Sequence, residues 1–173
     1  DDDDDDEAEE ELEFDASLVD EDKLKGFANG LIDEYMSGFD GKEACESFRE
    51  RHPALAGAYL VRTIVRYLDC NKAAVRDSLL ELLKVLGGDM DPRYVMAGLS
   101  ASEEFRTLPD MILDCDRAPE YLSDIVSTLL SMDLVQQSQL DVLVKEIIAE
   151  NLADEYGPSE NQLKSAFDRF GKA

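Results

Sequence analysis

The residues of this chain best suited to act on another molecule stand in the stretch Leu108 to Pro119, which reads Leu-Pro-Asp-Met-Ile-Leu-Asp-Cys-Asp-Arg-Ala-Pro. Pro109 pre-sets the backbone for a helical start, so Asp110 and Asp114 are expected on one face of a short helix, with Asp116 just past its end. Met111, Ile112 and Leu113 are expected to turn toward the interior between them. Three carboxylates on one rigid corner are suited to meeting an Arg or Lys cluster on a partner. Acidic residues at helix starts also serve plain capping and solvation, so the rest of the chain must decide between the two roles.

Chemistry of other kinds finds little to work with. His52 is the one histidine, in Arg51-His52-Pro53, and no local pattern pairs it with a Ser or Cys nucleophile, so catalysis is not expected. Asp89-Met90-Asp91 and Asp114-Cys115-Asp116 look like the start of calcium loops but lack the glycine at the sixth and the glutamate at the twelfth position, which leaves helix capping. There is no Gly-rich phosphate loop and no zinc-type spacing, and neither a metal nor a cofactor is expected. Cys45, Cys70 and Cys115 are odd in number and far apart, which reads as reduced thiols in a cytoplasmic or nuclear protein.

Charge narrows the partner class. The 173 residues carry 41 acids against 17 bases, a formal net charge of −24. Nucleic acid is therefore a poor direct partner, since phosphate binding needs a basic stripe and none is visible. Residues 1–22 hold 15 of the acids and no Lys or Arg, so the remainder is an ordinary acidic domain. Asp1 to Glu13 has too few apolar residues to offset the entropy of ordering and is expected to be a disordered acidic tail. Leu12, Phe14, Leu18 and Val19 are the exception, able to rest on a groove of this molecule or of a partner. No apolar run approaches the roughly 18 residues that span a bilayer, so no membrane role is expected. The chain begins with Asp rather than Met and is expected to be part of a longer protein.

The elements that must position the corner read as helices throughout. Apolar residues at 24, 27, 28, 31, 32 and 35 make one buried face of a helix over about 22–37, stopped by Gly38. Asp40 caps a second carrying Ala44, Cys45 and Phe48. After Pro53 a third places Val61, Ile64, Val65 and Leu68 inward. Asn71 is expected to cap a fourth with Val75, Leu79, Leu82, Leu83 and Leu86, ended by Gly87-Gly88. Asp91-Pro92 opens a fifth, expected to run through Phe105, before the short acidic helix. Ala118-Pro119 opens another with Leu122, Ile125, Val126, Leu129 and Leu130 inward. Leu140, Leu143, Val144, Ile147, Ile148 and Leu152 line an eighth, and Pro158 to Phe170 a last one. No stretch alternates with period two for long enough to make a strand.

Antiparallel helix pairs every 30 to 35 residues describe an all-α, HEAT-like stack of helix hairpins, a class whose repeat is about 40 residues. The expected division is an acidic tail at 1–21, a helical-repeat domain with one core at 22–152, and a C-terminal extension with a terminal helix at 153–173.

Ile32-Asp33-Glu34-Tyr35, Asp40-Gly41-Lys42-Glu43-Ala44, the Asp91-Pro92 helix with Gly98, and above all the Leu-x-x-Asp-x-x-Ala-Pro core of the acidic turn resemble the MA-3 domain, found in programmed cell death protein 4 and in translation initiation factor 4G. The resemblance covers about Lys23 to Val135. It implies a non-catalytic, monomeric module whose partner is the DEAD-box helicase initiation factor 4A, met by acidic residues of this turn, with the helicase kept from RNA and translation repressed in the tumour-suppressor members. Carried over residue by residue, the partner contacts that the resemblance implies are Asp110 and Asp114; Glu43 and Ala44 match the start of the second helix, where packing and capping account for them equally well, and Asp116 joins the contact set through its place in the acidic turn. The chain departs from the family where Asp114-Cys115-Asp116 replaces a common Asp-Val-Pro, and where Pro53-Ala54-Leu55-Ala56-Gly57 replaces a stretch with two histidines. Two other roles fit the same residues: a scaffold module of a splicing or ribosome-assembly protein, and an acidic chaperone for basic proteins acting through the tail.

Overall fold

The computed structural model describes residues 13–38 and 40–170. Among them are a 3-10 turn, Ala16–Asp20, and ten α-helices, with no strand. The charged run at 1–12, with Leu12, lies outside the described residues. No helix among the described residues is long and apolar enough to cross a membrane.

Helix α1, Asp22–Gly38, buries Leu24, Ala28, Leu31, Ile32 and Tyr35, the 3.6-residue face its spacing predicts. Phe27, expected on that face, is half-buried and lies under the Arg51 guanidinium, 4.0 Å from the ring centre. Helix α2, Gly41–Arg49, starts where the Asp40 carboxylate accepts the Lys42 and Glu43 N–H groups at 3.0 and 3.2 Å. Helix α3, Leu55–Asp69, is the central element, packed chiefly against α1 and α5, Pro92–Ala101. Its first turns, Leu55 to Leu60, are buried all round. Farther along, the buried side chains are Thr63, Ile64 and Tyr67, whereas Val61, Val65 and Leu68 are half-buried, so the face differs from the one expected by about one residue. A helix packed from several sides has no single apolar stripe to read.

The crossing of α3 and α5 depends on two glycines. A Cβ at Gly98 would fall 2.5 Å from the Gly57 carbonyl oxygen, and one at Gly57 would fall 2.2 Å from a Val19 methyl carbon. Bare backbone lets the two helices touch and leaves room for the N-terminal segment above them. That segment rests on a groove of this molecule: Phe14 lies 4.7 Å from the Tyr94 ring, the Asp15 N–H donates to the Tyr94 hydroxyl at 3.0 Å, and Val19 is buried.

Helix α4, Ala73–Gly87, begins after Lys72 with no side-chain cap, rather than on Asn71. The turn is held instead by Arg76, whose guanidinium donates to the Cys70 carbonyl at 2.9 Å. Helix α5 starts on Asp91, which accepts the Arg93 N–H, but stops at Ala101 instead of reaching Phe105. Ser102 breaks it: fully buried, its hydroxyl accepts the Phe105 N–H at 3.2 Å and caps a separate turn, α6, Glu103–Arg106. Then follow α7, Leu108–Asp114, α8, Ala118–Ser131, α9, Gln137–Leu152, and α10, Glu160–Phe167. Leu152, expected inward, is 46% exposed because it closes the final turn of α9.

The buried set starts at Val19 and ends at Phe170, past both bounds of the expected core. Helix α10 stops at Phe167, yet Phe170 beyond it is also buried. The two rings close on Phe105 edge-on, at 5.6 and 5.1 Å between centres, and so fasten the C-terminal segment to the α6 turn.

Candidate functional site: an acidic corner

Helix α7 is short but firmly seated. Leu108 at its start and Ala118 just past the turn are both fully buried, anchoring the loop at either side of the aspartates. The Thr107 carbonyl accepts the Asp110 N–H at 2.9 Å, the Met111 carbonyl accepts the Cys115 N–H at 2.8 Å, and the Cys115 carbonyl accepts the Ala118 N–H at 3.0 Å. Immediately before it, Arg106 binds the Ser100 carbonyl at 2.5 Å and reaches across to Glu146 and Glu150 of α9 at 3.0 and 2.6 Å. Helix α7 itself packs on α8, α10 and α6. The corner therefore moves only if several elements move with it.

Asp110, Asp114 and Asp116 are all exposed. Neither Asp110 nor Asp114 has a side-chain hydrogen bond or ion pair with any described residue. Asp116 lies beside Arg117, but that guanidinium is engaged by Glu120 three residues on. Glu120, first, and Asp116, to a lesser degree, raise the Arg117 pKa, and the same ion pair lowers that of Glu120. Arg117 is thus engaged chiefly by Glu120, and no ion pair among the described residues neutralises Asp110 or Asp114.

Leu113 does not turn inward as expected: it is 85% exposed, while Met111 and Ile112 are half-buried against the core. Helical geometry explains the difference, since residue 113 is three positions from 110 and must share the outward face of Asp110. Glu43 stands elsewhere in the packing order. It is exposed in the first turn of α2, which packs on α1 and α4, none of them a main neighbour of α7.

Residues with other chemical potential are engaged locally. His52 accepts the Ala54 N–H on Nδ1 at 3.0 Å, setting the entry to α3, and its ring meets Tyr94 edge-on at 6.0 Å. Asp89 pairs with Arg49 at 3.1 Å, and Asp91 caps α5, its carboxyl held below the usual range by hydrogen bonds from the Arg93 side chain and backbone. Among the described residues no group of three His, Cys, Asp or Glu is placed to hold a metal ion. The three cysteines are free and half-buried.

Asp110 and Leu113 also border a cleft of about 640 Å³ whose far wall is the segment between α9 and α10, including Tyr156 and Pro158. Tyr156 is 91% exposed. Sequence reasoning missed both apolar residues: the helical period gives Leu113 away, whereas no local signal marks Tyr156. No family model, no curated protein and no solved structure matches this chain.

Proposed function

We propose that the chain is an MA-3-type module, a HEAT-like stack of helix hairpins at about 22–152 between an acidic tail and a C-terminal extension, that binds the DEAD-box helicase initiation factor 4A. It acts without catalysis, by occupying a basic face of the helicase and restricting its access to RNA, and so represses translation from the cytoplasm or nucleus. Asp110, Asp114 and Asp116 make the contact, with Glu43 as an outlying contributor.

The observation that carries this reading is Asp114. Asp110 is in the first turn of α7, where a carboxylate favours the helix dipole, so helix stability alone accounts for it. Asp114 occupies the last turn, where negative charge is disfavoured, and its side chain has no hydrogen bond or ion pair among the described residues to compensate. A charge kept against local stability on a rigid, exposed corner is well placed for an external cation. Complementary charge of this kind speeds encounter and fixes register.

The test is capture of purified initiation factor 4A by wild-type chain, Asp114→Ala and the Asp110→Ala, Asp114→Ala double variant, alongside deletion of Asp1 to Leu12, which spares the packed segment from Phe14 to Val19. The double variant is expected to fold and lose the helicase, and the deletion to retain it at moderate salt. Wild-type capture by a folded double variant removes the proposal, and loss on deletion alone moves the function to the tail.

A further inference from the structure

We propose that the cleft between α7 and the segment 154–166 seats a partner segment in which an arginine is flanked by a large apolar side chain. This rests on the reading of the corner as a docking site for a basic protein and adds a second wall to it.

Five large apolar side chains are exposed among the described residues, and the two most exposed, Leu113 at 85% and Tyr156 at 91%, line this one cleft. Single exposed apolar residues need no explanation, but a pair facing a shared concavity marks a surface that another molecule covers. The charge of the cleft says which molecule. Asp110 and Asp154 line it, and no Lys or Arg does. The Asp154 carboxylate accepts the Tyr156 N–H at 3.1 Å, which fixes the loop and keeps a negative charge at its mouth. An incoming cation meets no competing cation, whereas a phosphate backbone would face two carboxylates.

The neighbouring ring favours arginine over lysine. A planar guanidinium can stack on a tyrosine ring and still present paired donors to a carboxylate, which a compact ammonium does less well, and the cleft offers both. Leu113, with Ile112 and Pro109 behind it, then offers the apolar neighbour of that arginine a dry contact. The occupant is thus a protein segment with alternating basic and apolar character.

The probe is a pair of peptides, Ser-Arg-Leu-Arg-Ser and Ser-Arg-Ser-Arg-Ser, titrated by NMR chemical shift against wild type, Leu113→Ser, Tyr156→Ala and the Asp110→Ala, Asp114→Ala double variant. Wild type is expected to bind the leucine peptide about tenfold more tightly, with shifts at cleft residues. Leu113→Ser is expected to erase that preference and Tyr156→Ala to weaken both peptides alike, each leaving the melting curve unchanged. Equal affinity of wild type for both peptides, no shifts up to about millimolar peptide, an undiminished preference in Leu113→Ser, or undiminished binding of both peptides by Tyr156→Ala would overturn the proposal. Purified initiation factor 4A, titrated against the same four proteins, separates the two readings. Loss of the helicase only in the aspartate variant leaves the corner standing and removes the cleft. Discrimination between the peptides with no helicase binding by any of the proteins keeps the cleft and removes the helicase.

Discussion

Gly98→Ala adds one methyl group at the tightest point of the fold. The new carbon would lie 2.5 Å from the Gly57 carbonyl oxygen, 2.7 Å from Gly57 Cα and 3.0 Å from its carbonyl carbon, all backbone atoms of the central helix that no rotamer change can move. Ordinary carbon contacts begin near 3.5 Å, so α3 and α5 must part by about 1 Å along their main line of contact. Overpacking of this kind costs about 1–3 kcal/mol, with the upper end appropriate where backbone meets backbone. Alanine returns up to about 1 kcal/mol through its helix propensity, which leaves a net loss of about 2 kcal/mol. For a domain of this size that lowers Tm by about 4–8 °C. Gly26→Ala is the matched control: the same change inside α1, with nothing within 4 Å of the new carbon, is expected to gain up to about 1 kcal/mol. Urea unfolding followed by circular dichroism measures both as shifts in midpoint at constant slope. A Gly98→Ala midpoint at or above that of wild type would refute the close crossing.

Two further outcomes follow from local geometry. Burial and a 2.7 Å hydrogen bond to Glu81 push the Tyr35 pKa from 10.0 up to about 12, so the folded chain keeps a proton that the unfolded chain releases. Stability from this group is whole below pH 10 and is lost as pH rises from 10 toward 12, and Tyr35→Phe should flatten that fall in urea midpoints; an unchanged slope would count against it. Asp133 ends α8 in a left-handed conformation, φ 58°, while the Leu134 N–H donates to the Leu129 carbonyl at 3.0 Å, the pattern of a glycine-terminated helix. Asp133→Gly is expected to raise stability by about 0.5–1 kcal/mol, read as a higher melting temperature, and a lower one would contradict the strain.

What could be read ahead of the structure follows from how local its cause is. The inward face of α1 and the caps at Asp40 and Asp91 depend on neighbours a few residues away, and all three appear where spacing and residue type put them. The face of α3 was misplaced because packing from several directions, not amphipathic pattern, decides its burial. Ser102 was hidden because a serine in a run of helix formers reads the same whether it lies within a helix or starts a new one. The meeting of Phe105 with Phe167 and Phe170 joins distant parts of the chain and leaves no local trace. At the corner, residue type and helical spacing announced the exposed aspartates, but not that Arg117 would be engaged by Glu120 or that Tyr156 would stand across from Leu113.

The most direct test of the corner as a cation-docking surface is the Kd for initiation factor 4A of wild type and of Asp110→Ala, Asp114→Ala, measured by titration calorimetry at fixed salt. Removing carboxylates that meet a partner's cations costs about 2–5 kcal/mol, so the double variant should bind at least about 30-fold more weakly, with helical content and Tm unchanged. Equal Kd values for the two folded proteins would contradict it.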